Sequence, residues 1–185
     1  EGRNDGGTGG GGRGEEGEGP IDQWSAVADV ERAKAAFEQG GRRASEVLEG
    51  GRVRLDGAKL AWRTVQLGLG FGDPLLPFLI QDVTARALRV PSGHAARHAN
   101  GASGIAGLRL ESPDPAGSAR AFSALVGEGR SGADGDTAFD VGRQRIVVSG
   151  TAVGAPRVSG LEIRGARLGM ISPMETHGVR MLVAT

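Results

Sequence analysis

Two stretches of this chain, about 84 residues apart, carry the same signals in the same order, and that recurrence restricts the fold more than any other feature. Asp29 stands 8 residues before Phe37, and Asp114 stands 8 before Phe122. Asp56 follows Phe37 by 19 residues, and Asp140 follows Phe122 by 18. In each stretch the first aspartate falls where a helix N-cap belongs, its carboxylate able to accept from amides that the first turn leaves free. Val30, Ala33 and Phe37 share one face of a helix predicted over 30–39, which Gly40-Gly41 stops. Ala119, Phe122, Leu125 and Val126 mark the second helix, entered through Pro115 and stopped at Gly127.

Strand patterns surround both helices. Residues 24–27 and 105–110 lead into them, and three apolar segments follow each: 51–55, 59–67 and 77–81 in the first half, then 137–141, 144–149 and 158–164 in the second. Each half therefore reads as a βαβββ unit. Residues 178–183 alternate like one more strand. Pro91, Gly93, Asn100 and Gly101 interrupt the stretch between the halves, as a connection requires. Residues 1–20 hold ten glycines and no apolar side chain before Pro20, so nothing there offsets the entropy of ordering. The organisation expected is a flexible tail over 1–20, units over 21–82 and 104–185 in one domain, and a linker over 83–103.

Composition narrows the function. The 22 basic and 22 acidic side chains cancel, which removes the driving force of a nucleic-acid or anionic-membrane binder. With no cysteine there is no disulfide framework, thiolate zinc site or thiol nucleophile. The longest apolar run, 75–80, falls far short of the roughly 20 residues that span a bilayer. No export signal is visible, and a cytoplasmic location is the expectation. Neither a nucleophile elbow nor a strand-flanked dinucleotide turn is present.

The segment HANGASGIAGLRLESPDP from His98, followed by the helix SARAFSALVG, resembles the glyoxalase-like domain family of the vicinal oxygen chelate superfamily. GEGPIDQWSAVADVERAKAAFEQGG and LAWRTVQLGLGFGDPLLPFLIQD are similar to it as well, so the likeness runs over residues 17–185. It implies an α+β fold of tandem βαβββ modules whose sheets form an open, half-barrel cup with helices outside. Family members usually begin with another strand and helix before the GEG stretch; here a glycine-rich tail occupies that place, as in a fragment or a chain that has lost its first unit.

The resemblance also implies a small polar metabolite in the cup, with lyase, isomerase or dioxygenase chemistry at a divalent metal held by His and Glu, or simple ligand binding and sequestration without metal. The candidate ligands are Glu162, His98 and His177, with Glu162 and His98 also the candidate catalytic groups. His98 reads first as part of a solvated linker, and His177 as a capping or turn residue at the start of the last strand. In the strand over 158–164, Gly160, Glu162 and Arg164 share one face and Leu161 and Ile163 the other. Leu60 and Trp62 likewise oppose Ala61, Arg63 and Val65. Trp62, Arg63, Arg109 and Arg164 are the candidate substrate-binding residues, because a guanidinium fork grips carboxylate or phosphate. Exposed strand edges of an incomplete cup point to a homodimer.

Overall fold

The computed structural model describes residues 24–68, 75–90, 93–96, 98–132, 134–152, 154–165 and 179–184. The tail over 1–20 and His177 lie outside the described residues.

The first half contains β1 (Trp24–Ala26), α1 (Val30–Gln39), β2 (Leu48–Val53), β3 (Lys59–Val65) and β4 (Phe78–Asp82). Its four strands lie in the order β1-β4-β3-β2, with β1 parallel to β4 and the other pairs antiparallel. After a short helix α2 (Arg86–Arg89) and a 3-10 turn (Gly93–Ala96) come β5 (Gly104–Ser112), α3 (Pro115–Val126), β6 (Arg130–Ser131), β7 (Thr137–Val141), β8 (Gln144–Gly150), β9 (Arg157–Arg164) and β10 (Arg180–Ala184). The six strands among these form a mixed sheet, β10-β9-β5-β8-β7-β6, flanked by α3. Both sheets are open, and the architecture is α+β.

Both helices form where the sequence places them. Asp29 accepts from the Arg32 amide at 3.0 Å, and Asp114 from the Gly117 amide at 2.8 Å. α1 lies on β3 and β4, α3 lies on β5, β7 and β8, and the helices meet each other where Gly40 approaches Ala124. One core results. Val30, Phe37, Val65, Leu67 and Leu79 from the first half pack in a single cluster with Leu110, Ala121, Phe122, Phe139 and Val148 from the second. The rings of Phe122 and Phe139 stand 5.6 Å apart and tilted, a favoured aromatic contact.

The pairing departs from expectation in the second half. The segment 158–164 does form a strand, but it runs antiparallel along the outer side of β5 rather than closing the unit. β8 instead takes the position beside β5, parallel to it, and the two-residue β6 fills the place of the unit's second strand. The segment Gly127, Glu128, Gly129 ahead of β6 and Gly132 behind it hide so short a strand from any periodicity. The order β5-β8-β7-β6 thereby repeats β1-β4-β3-β2, with β9 and β10 added at the β5 edge.

Smaller differences have local causes. The second strand starts at Leu48 rather than Gly51, and Leu55 is fully exposed at the hairpin tip because Asp56-Gly57 makes the turn and Gly57 takes a φ of 81°. The expected linker is partly ordered: Asp82, on the face of β4 away from α1, holds Arg89 with two hydrogen bonds at 2.6 and 2.9 Å and pins α2 across the end of the sheet.

Candidate functional site

Each sheet has a face toward its helix and a face away from it, and strand alternation sorts the candidate residues between the two. In β3, Val65 joins the core under α1, and Arg63, two residues earlier, reaches Glu31 of α1 at 2.6 Å. Arg63 is therefore on the helix side, with its Nε buried and unpartnered among the described residues. Trp62 lies on the opposite face, spread over Gly50 of β2 and in register with Asp82 of β4. The structure thus separates Trp62 from Arg63.

In the six-stranded sheet, Leu108, Leu110, Ile146, Val148, Phe139 and Val158 face α3 and the core. The alternate residues line the open face. Gly107 of β5 pairs with Arg145 of β8 on one side and Glu162 of β9 on the other; Arg109 pairs with Val147 and Gly160. Residues paired directly across strands point the same way, so Arg109, Arg145, Glu162 and the two glycines share this face. β10 adds Arg180 beside Gly160 and Leu182 beside Glu162.

The two glycines are the floor of the site. A Cβ on Gly107 would lie 2.8 Å from Glu162 Oε2, and one on Gly160 would lie 3.3 and 3.4 Å from Cβ and Cδ of Arg109. Glu162 thus lies flat across Gly107 and Arg109 flat across Gly160, and their charged ends meet with Arg109 Nε 3.4 Å from Glu162 Oε1. Around this pair, Arg145 is held by Asp140 at 3.2 Å, and Arg157 by Glu111. Arg164 donates to the carbonyl of Arg143 at 2.7 Å. The structure brings Arg109 and Glu162 into contact and sets Arg164 on the same face.

His98 is not part of this group. It is exposed in a turn closed by the Gly101 amide on its own carbonyl at 2.9 Å, and no hydrogen bond or ion pair joins it to Glu162 among the described residues. Among the described residues, no three His, Asp or Glu side chains are placed to share a metal ion. Glu162 has a guanidinium as its neighbour, a poor setting for a cation. The described donors do not fit a divalent metal, and His177 lies outside them. Among the described residues no helix is long and apolar enough to cross a membrane.

Sequence reading missed Arg145 and Arg180. Alternation within 178–183 assigns Arg180 a side of its strand, but only the parallel pairing of β10 with β9 puts it next to Gly160.

No curated protein matches the sequence. Among solved structures, a hypothetical protein from Staphylococcus aureus superposes with a TM-score of 0.70 at 12% identity over 89% of this chain. The chain spans 65% of that structure's length, and at such identity the likeness is one of fold alone. A lactoylglutathione lyase from Agrobacterium tumefaciens aligns over 70% of this chain and 91% of its own at 14% identity, but its TM-score of 0.29 carries no argument. The model of the glyoxalase-like domain family matches residues 3–126, about two thirds of the sequence, and includes the strand that carries Gly107 and Arg109. The chain belongs to the glyoxalase-like domain family.

Proposed function

We propose that this glyoxalase-like chain binds a small polar metabolite on the open face of the six-stranded sheet, within a cup built from two βαβββ units of matching strand order. The observation that carries this reading is the Arg109–Glu162 pair laid over Gly160 and Gly107: a charged pair on a floor of bare backbone, in a sheet whose other face is sealed by α3. Such a surface offers a donor fork, an acceptor and room for a ligand to approach the strands. The absence of a three-donor metal cluster among the described residues favours ligand binding over metal-assisted lyase, isomerase or dioxygenase chemistry.

The test is a thermal-shift screen of hydroxy acids, 2-oxo acids and vicinal dicarbonyls against the protein and its Arg109→Ala variant. A ligand at about a hundred times its Kd stabilises the folded state by about 2.7 kcal/mol. At least one compound is expected to raise Tm in the parent and not in the variant. Equal shifts in both proteins contradict the reading. Metal analysis of protein purified without chelator is expected to give below about a tenth of an equivalent of transition metal, since the described residues hold no preformed donor set to retain it.

A further inference from the structure

Resting on that reading of the open face, we propose that its ligand is a small dianion, held between Arg109 and Arg180 above Gly160. Both arginines pair directly with Gly160, one from β5 and the other from β10, so they flank a position that has no side chain of its own. With neighbouring strands about 4.8 Å apart, their Cα atoms stand about 10 Å from each other, a gap that two long side chains close around one small molecule.

Both forks have donors to give. Arg109 Nε is 3.4 Å from Glu162, beyond the length of a well-formed N–H···O bond, and the side chain is 45% exposed. Arg180 is exposed and makes no ion pair or side-chain hydrogen bond among the described residues. Other charges on this face lean the same way. Arg145 stands across Gly107 from Glu162 and Arg164 two residues beyond it, whereas the carboxylates Asp140 and Glu111 are already held by Arg130 and Arg145, and by Arg157. A dianion offers an acceptor group to each guanidinium fork and balances both charges, whereas a single carboxylate balances one, and it takes Arg109 from its loose contact with Glu162.

The experiment is isothermal titration at low ionic strength with malonate, inorganic phosphate, acetate and the neutral dihydroxyacetone, using the parent protein, Arg109→Ala, Arg180→Ala, Arg180→Lys and Arg52→Ala. Malonate or phosphate is expected to bind the parent about tenfold more tightly than acetate, as one lost charged hydrogen-bonding group predicts. Arg180→Ala and Arg109→Ala are each expected to lose about tenfold in that affinity, with Arg180→Lys in between and Arg52→Ala unchanged. Whichever of the two dianions binds more tightly separates a dicarboxylate from a phosphate source. If Arg180→Ala binds the dianions as the parent does, or acetate binds as tightly as malonate, the clamp is wrong. If dihydroxyacetone alone binds, and does so only with Arg109 present, the dianion assignment falls while the open-face site stands. If no probe depends on Arg109, both fall.

Discussion

Gly107 and Gly160 act through what they lack. Alanine at Gly107 sets a Cβ 2.8 Å from both Glu162 Oε2 and the Arg145 carbonyl, so the carboxylate must leave its place and the backbone must shift. Gly107→Ala is predicted to cost about 1–3 kcal/mol in urea unfolding and to abolish ligand binding, whereas Glu162→Gln keeps the shape and is predicted to stay near parent stability. A Gly107→Ala variant that binds at parent affinity contradicts the floor assigned to this residue. Gly117 is a second position with a stated reason: a side chain there collides with the Asp114 carboxylate that caps α3. Asp114→Ala is predicted to lower stability by about 1 kcal/mol, read as a lower urea midpoint with unchanged slope. Much at this scale was legible in the sequence. Caps and stops announce themselves locally, and alternation put Gly160, Glu162 and Arg164 on one face of their strand, as the pairings have them. What Arg63 touches was not legible, because a two-residue period says which side chains share a face without saying which face meets the helix.

α2 shows how a segment the sequence reads as a connection is ordered by contacts with the sheet: Arg89 and Arg86 pair with Asp82, and Arg54 donates to the carbonyl of Leu88. The Arg89 guanidinium holds the Asp82 carboxyl below the usual carboxylate range by hydrogen bonding, with Arg89 and Arg86 adding charge attraction against the cost of burial. Because the folded pKa is depressed, this contribution is complete above the ordinary carboxylate value near about 4 and is lost as the pH falls below it. Asp82→Asn is therefore predicted to lower stability at neutral pH and to flatten the acid limb, measured as urea midpoints from about pH 6 to about pH 2. Parent and variant curves that remain parallel over that range contradict the account. The strand order of the second half marks the limit of sequence reading at this scale. Each apolar segment was visible, but β8 rather than β9 pairs parallel with β5 because β6 takes up one strand position with only two residues.

In the whole molecule, the two halves share one core on the helix side, and the proposed site lies on the other side of the six-stranded sheet. Phe122 and Phe139 are at most 1% exposed and tie α3 to β7 within that core. Phe122→Ala is predicted to cost about 3–5 kcal/mol and to lower one cooperative transition seen alike by fluorescence and circular dichroism. Two separated transitions contradict a shared core. The recurrence in the sequence placed both N-caps and both buried phenylalanines, since cap-to-phenylalanine spacings are properties of a helix and the strands it packs on. It could not foretell the proposed site, whose residues are brought together on β5, β8, β9 and β10 by pairings that no local pattern encodes. The most direct test of that assembly is backbone-amide shift mapping of the parent protein with a mixture of small polar acids. The account predicts that the largest shifts fall at 107–109, 160–162 and 180–182 and vanish in Arg109→Ala. Shifts centred on the four-stranded sheet, or unchanged in that variant, contradict it.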